Sequence, residues 1–282
     1  MSTGPRLPVP TWFVGCGNMG GAIVAGWRAA GVDLSSAIAI RPSGQPVEGV
    51  RTVSTIADAG RPPALVVLGF KPQKLDEIAP QLRTFLTSKT VLVSILAGAG
   101  AESLRERFPG VAAIVRAMPN LPVAVRRGVI ALYSADADEA TRQELSNIFA
   151  PLGYAPWLSD EAKFGAVGSV AGAGPAYVAR FIAALSKAGE KGGLSRELAQ
   201  TIALETVLGT AWMAASSGEE MESVARRVAS PNGTTEAALA VLDHDGMLDN
   251  LLAIAIEAAA RRGAELAEEA RSRPLAETAR LS

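Results

Sequence analysis

Three glycines near the start of the chain are spaced so that a phosphate could approach the backbone closely. Gly15, Gly17 and Gly20 fit G-x-G-x-x-G between an apolar run ending at Val14 and a helical run beginning at Ala22. The first glycine allows a tight turn, the second admits a pyrophosphate, and the third lets helix and strand pack closely. Free N–H groups and the positive end of the helix dipole favour the phosphate. The pattern predicts a dinucleotide-binding turn made by Gly15, Gly17, Asn18, Met19 and Gly20.

The second predicted strand is followed by a basic residue where NAD-binding folds usually carry an acid. Ala37–Ile40 has the pattern of a strand, and Arg41 and Ser43 come after it. A guanidinium can bind a 2′-phosphate through two hydrogen bonds, and a serine hydroxyl can add another. An acid here would instead bind the ribose hydroxyls of NAD. The sequence predicts NADPH as the cofactor, with NADH as a second possibility; a solvated loop charge is the alternative for Arg41.

Short apolar segments alternate with helical patterns through the first half of the chain. Such alternation is typical of a parallel sheet with helices on both faces, whose ligand crevice lies beyond the carboxyl ends of the strands. The other strand-like segments are Val50–Val53, Ala64–Leu68, Thr90–Leu96, Val111–Val115, Gly128–Leu132 and Ala155–Leu158. The helical patterns between them are Pro72–Leu86, Ala101–Phe108 and Asp138–Ala150.

Three unusual loops follow predicted strands at this same edge of the sheet. They are Gly69–Gln73, Ala97–Gly100 and Ala117–Pro122. Proline at a helix start or in a loop also has a purely conformational explanation. Because the loops share their edge with the glycine turn, we expect them to form walls of the cofactor site. The residues predicted to do so are Lys71, Pro72, Ala97, Gly98, Met118, Pro119 and Asn120.

A second turn, Ser230–Glu236, stands before the helical run Ala237–Leu242. Its proline and glycine favour a turn, and its two threonines fall at the start of the helix. Backbone N–H groups at a helix start can hold a carboxylate without an arginine. A simple N-cap by Ser230 or Thr234 is the alternative, and it would stabilise the helix by ~1 kcal/mol.

The second half of the chain has a helical pattern nearly to its end. Pro175–Lys191, Ser195–Ser217 and Met247–Glu269 carry apolar residues at helical spacing. Long helices with no sheet of their own can bury an apolar stripe against another subunit. We therefore predict an α/β Rossmann-type dinucleotide-binding domain over residues 1–160 and an all-α dimerisation domain over residues 161–282, in a homodimer or larger ring.

The composition excludes several classes of protein and site. The 282-residue chain is 49% apolar and 20% charged, as in a globular protein, and its net charge of −1 offers no field for nucleic acid. A single cysteine fits a reducing compartment, and no apolar stretch has the length of a membrane span or signal peptide. The lone His244 lacks partners at metal-ligand spacing. These features predict a cytoplasmic protein that uses no metal and binds neither nucleic acid nor membrane.

Six short motifs together resemble those of one enzyme family. They are Gly15-Cys16-Gly17-Asn18-Met19-Gly20 (a cofactor turn), Phe70-Lys71-Pro72-Gln73 (V-K-P-Q), Ser94-Ile95-Leu96-Ala97-Gly98 (S-I-A-A-G), Met118-Pro119-Asn120 (M-P-N), Gly172-Ala173-Gly174-Pro175-Ala176-Tyr177 (G-S-G-P-A-Y) and Ser230-Pro231-Asn232-Gly233-Thr234-Thr235 (S-P-G-G-T-T). In this order they resemble the pyrroline-5-carboxylate reductase family, across roughly residues 12 to 270. Many dehydrogenases share the first motif, whereas the last two are specific.

The resemblance implies a reaction and roles for particular residues. It implies hydride transfer from NAD(P)H to the carbon of a cyclic C=N bond, giving L-proline. It also implies a helical domain that interlocks with a second copy, and in many members a pentamer of dimers. Residue by residue, Thr235 would place its hydroxyl near the imine nitrogen. Ser230, Gly233 and Thr234 would hold the substrate carboxylate, and Ala173 would line the substrate site.

Three departures from the family motifs bear on the substrate. Ala171 and Ala173 stand where serines are usual, and Asn232 stands where a glycine is usual. The departures leave open a related cyclic imine, such as 1-pyrroline-2-carboxylate or a six-membered homologue. Two other functions also stay open. One is a 3-hydroxyacid-type dehydrogenase using Lys163, and the other is a nucleotide-sensing protein without turnover.

Overall fold

The computed structural model describes residues 5–271, which form two compact units. The first unit comprises residues 5–172 together with residues 260–271, and the second comprises Ala173–Ala259. The first unit carries the sheet, and the second is helical. The predicted fold class, a Rossmann-type α/β domain followed by a mostly helical domain, is confirmed.

An eight-stranded sheet forms the centre of the first unit. Its strands are β1 (Thr11–Val14), β2 (Ala37–Ile40), β3 (Arg51–Val53), β4 (Leu65–Leu68), β5 (Val91–Ser94), β6 (Ala113–Pro119), β7 (Gly128–Tyr133) and β8 (Gly153–Tyr154). The order across the sheet is β3-β2-β1-β4-β5-β6-β7-β8. The order reverses at β1, between β2 and β4, which is where a sheet of this kind binds its ligand.

The central strands are apolar along their whole length because side chains pack on both faces of the sheet. Every residue of β1, β2 and β4 is buried. Trp12 and Val14 belong to the core cluster on one face, whereas Phe13 packs on the other face with Ile23 and Trp27. Alternate residues of one strand thus contribute to the cores on both faces of the sheet.

The helices of the described chain lie between the strands and then follow one another without interruption by strands. They are α1 (Asn18–Ala29), α2 (Leu75–Arg83), α3 (Ala101–Arg107), α4 (Glu139–Phe149), α5 (Phe164–Val167), α6 (Gly174–Lys191), α7 (Arg196–Ser217), α8 (Met221–Val228), α9 (Thr234–Leu242) and α10 (Met247–Arg271). A π-helical segment over Gly168–Gly172 leads from α5 to α6. Within residues 5–271, no helix is long and apolar enough to cross a membrane.

Two predictions fail at β6 and β7: the pairing of these strands is not parallel, and Met118 and Pro119 do not lie in a loop. β6 extends through Pro119 and pairs antiparallel with β7, in the register Met118 with Ala131 and Pro119 with Ile130. The connection between the strands holds only a 3₁₀ turn over Leu121–Val125. A parallel crossover needs about a dozen residues or more, so this short connection returns antiparallel. Pro119 ends the strand, where its missing N–H is tolerated.

Other elements also differ from the predictions. The last strand is Gly153–Tyr154, and Ala155–Leu158 contributes only an isolated bridge from Trp157 to Leu132. Pro156 lies in the predicted segment, and its missing N–H prevents a continuous ladder there. The helix predicted from Pro72 onward begins as a 3₁₀ turn and becomes α-helical at Leu75, and α8 was not predicted.

The helices of the second unit leave most of their apolar side chains uncovered. Within residues 173–259, all of which the structure describes, the buried side chains are Ser186, Ala199, Ala203 and Val224. In contrast, Phe181, Leu208 and Trp212 are 51%, 56% and 58% exposed. An apolar surface of this extent on long helices marks an interface with another protein chain.

Candidate active site

The predicted glycine turn lies where the strand order reverses, and it packs against the turn that follows β4. Gly15 has a left-handed φ of 78°, and a Cβ there would lie 2.7 Å from the Cβ of Phe70. A Cβ at Gly69 would lie 2.5 Å from the Gly15 carbonyl oxygen. Side chains at these two positions would therefore force the two backbones apart. The structure thus brings Gly15 together with the loop that carries Lys71 and Pro72.

The N-terminus of α1 offers backbone N–H groups with open space around them. Gly17 is the N-cap and has no side chain to satisfy these groups. A Cβ at Gly17 would meet no protein atom within 4 Å, whereas one at Gly20 would lie 3.2 Å from the Cys16 Sγ. Gly20 therefore permits close packing, and Gly17 leaves room for a ligand beside Asn18 and Met19. These features fit the pyrophosphate of a dinucleotide.

A cavity of about 400 Å³ adjoins this turn at the end of β2. Gly17, Asn18 and Arg41 line it. Arg28 and Glu48 also line it, and they form an ion pair with 2.6 Å between Nη2 and Oε1. The position beside the glycine turn and the Arg41 guanidinium suit the adenosine end of NADPH with its 2′-phosphate.

Arg41 and Ser43 relate differently to this cavity. The Arg41 guanidinium donates to the backbone oxygen and the side-chain Oε1 of Gln45, at 3.1 and 3.4 Å. These bonds use two of its five N–H donors. Ser43 is not among the described residues that line the cavity, and its hydroxyl accepts the Gln45 N–H at 3.4 Å.

Burial raises the pKa of the Cys16 thiol at the cavity wall, and the charge of Arg41 opposes this effect only in part, so the thiol stays neutral at pH 7.

The loops after β4 and β5 continue the same edge of the sheet. Lys71 is exposed and precedes the 3₁₀ turn that begins at Pro72. Ala97 and Gly98 form the turn after β5, with Gly98 at a left-handed φ of 79°. Parallel pairing of β4 with β5 places these two loops side by side.

Asn120 links the end of β6 to the π-helical segment. The side chain is buried, its Oδ1 accepts the Val129 N–H at 2.9 Å, and its Nδ2 donates to the Ala171 oxygen at 2.9 Å. Both ends of the amide are therefore bonded within the protein. That Met118, Pro119 and Asn120 contact the cofactor stays a prediction.

The turn predicted to hold a carboxylate belongs to the second unit and begins α9. Gly233 is the N-cap, and its N–H donates to the Ser230 oxygen at 2.9 Å. Among the described residues, no acceptor is bonded to the N–H groups of Thr234 and Thr235, which suits an anion at this helix start. Asn232 has a left-handed φ of 56°.

Ala173 lies at the start of α6, in the second unit. It is the N-cap of the helix and its oxygen accepts the Ala176 N–H at 2.9 Å. The side chain is half-buried and offers only a methyl group. Direct hydrogen bonding of a ligand by a side chain is therefore excluded at this position.

Comparisons with known proteins match both halves of the chain. The family model "NADP oxidoreductase coenzyme F420-dependent" matches residues 12–98, and the model "Pyrroline-5-carboxylate reductase dimerisation" matches residues 161–266. The chain is 39% identical over 276 residues to a pyrroline-5-carboxylate reductase of Pseudomonas aeruginosa, covering 95% of this chain and 99% of that protein. The chain belongs to the pyrroline-5-carboxylate reductase family. A pyrroline-5-carboxylate reductase of Pisum sativum is 35% identical over 262 residues, covering 90% and 94% of the two chains.

Solved structures of pyrroline-5-carboxylate reductases share the fold of this chain. The one from Coxiella burnetii is 30% identical with a TM-score of 0.84, covering 92% of this chain and 99% of that chain. The one from Plasmodium falciparum, with NADP bound, is 26% identical with a TM-score of 0.81, covering 92% and 98%. The dimerisation domain of the pyrroline-5-carboxylate reductase family accounts for the uncovered helices of the second unit, and the prediction of a homo-oligomer is confirmed.

Sequence reasoning missed an ion pair beside the loop after β5 in this family member. Glu161 Oε1 accepts hydrogen bonds from Arg116 Nη1 and from the Ala101 N–H, each at 2.7 Å. The carboxylate thus caps α3, whose N-cap Gly100 has no side chain, and Arg116 also lies 4.4 Å above the Phe164 ring. No local pattern signals this arrangement, because the three partners come from distant parts of the sequence.

Sequence reasoning placed Glu236 in the second turn but missed the role of its side chain. Its Oε2 accepts the Asn232 N–H at 2.6 Å, within the turn predicted to hold the substrate. A signal was present, since an acid three residues after an N-cap has the spacing of a capping box.

Proposed function

We propose that this protein reduces 1-pyrroline-5-carboxylate to L-proline with NADPH. The observation that carries the proposal is its 39% identity, over 95% of the chain, to a protein named pyrroline-5-carboxylate reductase. When bound, NADPH supplies a hydride to the carbon of the cyclic C=N bond. The chain binds and orients the two reactants.

Residues of the first unit hold the cofactor. The backbone of the glycine turn and the start of α1 receive the pyrophosphate, and Arg41 binds the 2′-phosphate. The loops after β4, β5 and β6 follow the rest of the molecule along the sheet edge. The contacts are made by Gly15, Gly17, Asn18, Met19, Gly20, Arg41, Ser43, Lys71, Pro72, Ala97, Gly98, Met118, Pro119 and Asn120.

Residues of the second unit hold the imine. Ser230, Gly233 and Thr234 hold the substrate carboxylate; Ser230 and Gly233 shape the turn, and the N–H groups of Thr234 and of its neighbour Thr235 donate to the anion. The Thr235 hydroxyl orients the imine nitrogen or a water bonded to it, because an alcohol is a poor acid near neutral pH. Holding the ring in one orientation keeps the imine carbon close to the hydride donor and presents the correct face of the C=N bond to it. Ala173 contributes a small surface next to the ring.

A reductase of a related cyclic imine is the second candidate function. The methyl groups of Ala171 and Ala173 favour it, because they remove two hydrogen-bonding groups from the family motif. A 3-hydroxyacid-type dehydrogenase would instead use Lys163, whose Nζ donates to the Ser159 Oγ at 3.3 Å. A nucleotide sensor would bind NADPH without turnover.

The working assembly is a dimer, completed in a pentamer of dimers, in the cytoplasm. The uncovered helices of the second unit support a partner chain as the first step of assembly. Residues 1–160 act as the cofactor domain and residues 161–282 as the substrate and dimerisation domain.

Steady-state oxidation of NADPH with a panel of cyclic imines tests the proposal. We expect 1-pyrroline-5-carboxylate to have the highest kcat/KM, above 1-pyrroline-2-carboxylate and the six-membered homologue. A higher kcat/KM for another imine would select the second candidate. Imine turnover that survives Lys163→Met excludes the hydroxyacid dehydrogenase. Tight NADPH binding with no turnover on any imine would contradict the proposal and favour the sensor.

A further inference from the structure

The hydrogen bond from Asn232 to Glu236 spans the turn in an unusual way. In a capping box, the acid three residues into the helix accepts the N–H of the N-cap residue. Here the N-cap is Gly233, and its N–H already donates to the Ser230 oxygen at 2.9 Å. Glu236 reaches one residue further back and accepts the Asn232 N–H at 2.6 Å. Two successive N–H groups of the turn are therefore held by the protein itself.

The residue that Glu236 holds is the one whose backbone conformation is difficult. Asn232 lies at a left-handed φ of 56°, at a position where the family motif has glycine. Glycine adopts this conformation freely, whereas a residue with a Cβ adopts it at a cost, which is smallest for asparagine. A hydrogen bond to an ionised carboxylate is among the stronger ones in proteins, so it offsets that cost.

The rest of the turn has little room to adjust. A Cβ at Gly233 would collide with the Ser230 side chain and lie 2.9 Å from the Ser230 oxygen. The turn is thus packed against Ser230 on one side and hydrogen-bonded to Glu236 on the other. If this hydrogen bond is removed, the backbone regains conformational freedom at Asn232, two residues before Thr234.

We infer that Glu236 is a positioning residue for the substrate: by holding the Asn232 N–H, it fixes the turn so that the N–H groups of Thr234 and Thr235 stay directed at the substrate carboxylate. The inference rests on the proposed function. The same bond has a second consequence, because a carboxylate engaged by Asn232 does not itself occupy the anion-binding start of α9.

Two substitutions at Glu236 separate the hydrogen bond from the charge. Glu236→Gln removes the charge but keeps a side-chain oxygen that can accept the Asn232 N–H, whereas Glu236→Ala removes both. Glu222→Ala, at an exposed position in the first turn of α8, is the matched control for loss of a helix acid in the same unit. Each protein is prepared as the full-length oligomer and assayed with 1-pyrroline-5-carboxylate and NADPH.

For Glu236→Ala we expect the KM for the imine to rise about 10-fold, the factor that a loss of ~1.4 kcal/mol produces. The KM for NADPH and the thermal midpoint should stay close to those of the unsubstituted protein. Glu236→Gln should recover most of the loss, and Glu222→Ala should match the unsubstituted protein. Amide hydrogen exchange in the peptide spanning the turn should be faster in Glu236→Ala than in Glu236→Gln.

Several results would overturn the inference. One is an imine KM in Glu236→Ala equal to that of the unsubstituted protein. Another is an equal loss in the Gln and Ala variants, which would assign the effect to charge alone. Unaltered exchange of the turn in Glu236→Ala would show that the bond does not hold the turn, whatever the activity. If the unsubstituted protein neither reduces the imine nor binds L-proline in the presence of NADP, the proposed function fails as well, and the inference with it.

Discussion

The Arg116 guanidinium and the Glu161 carboxylate lie 2.7 Å apart and join β6 to the start of α3 through one shared oxygen. Their side chains are only 12% and 31% exposed, so each charge depends on the other for solvation. The shared oxygen accepts the N–H of Ala101, the residue that follows the loop carrying Ala97 and Gly98. The ion pair thus anchors the end of a loop that we propose as a wall of the cofactor site.

We predict that Glu161→Ala lowers the free energy of unfolding by about 2–4 kcal/mol, because it leaves Arg116 unpaired and α3 uncapped. The double variant Arg116→Met, Glu161→Ala should lose less than the sum of the single losses. A double-mutant cycle in urea measures this coupling, and the exposed pair Arg262–Glu265 provides a control expected to couple by under ~1 kcal/mol. Strictly additive losses at Arg116 and Glu161 would contradict the prediction.

Gly17→Ala should weaken NADPH binding at least about 10-fold, with only a small fall in the thermal midpoint because alanine is a poorer N-cap than glycine. The reason is that a Cβ there meets no protein atom within 4 Å, so the added methyl group obstructs only a ligand. Fluorescence titration with NADPH, combined with thermal unfolding, measures both quantities. Gly110→Ala, where a Cβ also meets nothing within 4 Å, is the control. Unchanged affinity in Gly17→Ala would place the pyrophosphate elsewhere.

Arg41→Asp should lower the preference for NADPH over NADH about 100-fold, measured as the ratio of kcat/KM values. A carboxylate repels a 2′-phosphate and can bind the ribose hydroxyls of NADH, whereas the guanidinium does the opposite. Arg61→Asp changes the same charge at an exposed site of the first unit and should leave the ratio unaltered. A ratio that does not move in Arg41→Asp would mean that Arg41 is a solvated loop charge.

Thr235→Ala should lower kcat for imine reduction by at least about 10-fold while NADPH affinity stays the same. The variant removes a hydroxyl at the second residue of α9 but leaves the backbone N–H groups in place. Thr235→Ser keeps the hydroxyl and should retain most of the activity. Steady-state kinetics with the imine and NADPH distinguish these outcomes, and normal turnover in Thr235→Ala would remove the hydroxyl from the mechanism.

The contribution of Asp136 to stability should depend on pH. Burial alone would raise the pKa of this carboxyl, but hydrogen bonds from the Ile114 N–H, Arg105 and Ser134 bring it below the usual value. A lowered pKa in the folded protein gives stability that is present above the ordinary pKa of about 4 and is lost as the pH falls below it. Asp136→Asn should therefore be less stable than the unsubstituted protein at pH 7, and the gap in urea midpoints should narrow at pH 3. A gap independent of pH would exclude ionisation of Asp136 as the cause.

The elements that follow from local pattern were predicted from the sequence. The strand Ala37–Ile40 has the bounds that the apolar run indicates, and the glycine turn lies between β1 and α1 as its spacing requires. The start of α9 at Thr234 follows from the turn residues before it. The fold class and the family followed from the order of such motifs along the chain.

The features that could not be predicted depend on contacts between residues distant in sequence, or on the length of the connection between two strands. The apolar pattern of a strand does not indicate its direction. The short connection after Pro119 decides that β7 runs antiparallel to β6. The bonds of Asn120 to Val129 and Ala171 join segments that are adjacent only in the folded chain. Motif matching assigned Asn120 to the cofactor, and it gave no sign that its amide was already bonded.

The exposed apolar helices of the second unit have a consequence for cells that make an intact and a defective form of this protein together. A protomer whose long helices are damaged cannot cover its apolar side chains and drops out of the oligomer, leaving intact copies to pair among themselves. A protomer altered only in its glycine turn, which belongs to the first unit, keeps those helices, so we expect it to form mixed oligomers with intact copies. A defect in the first unit should therefore lower the activity of oligomers that also contain intact protomers, whereas a defect in the helices of the second unit should affect only the defective protomer.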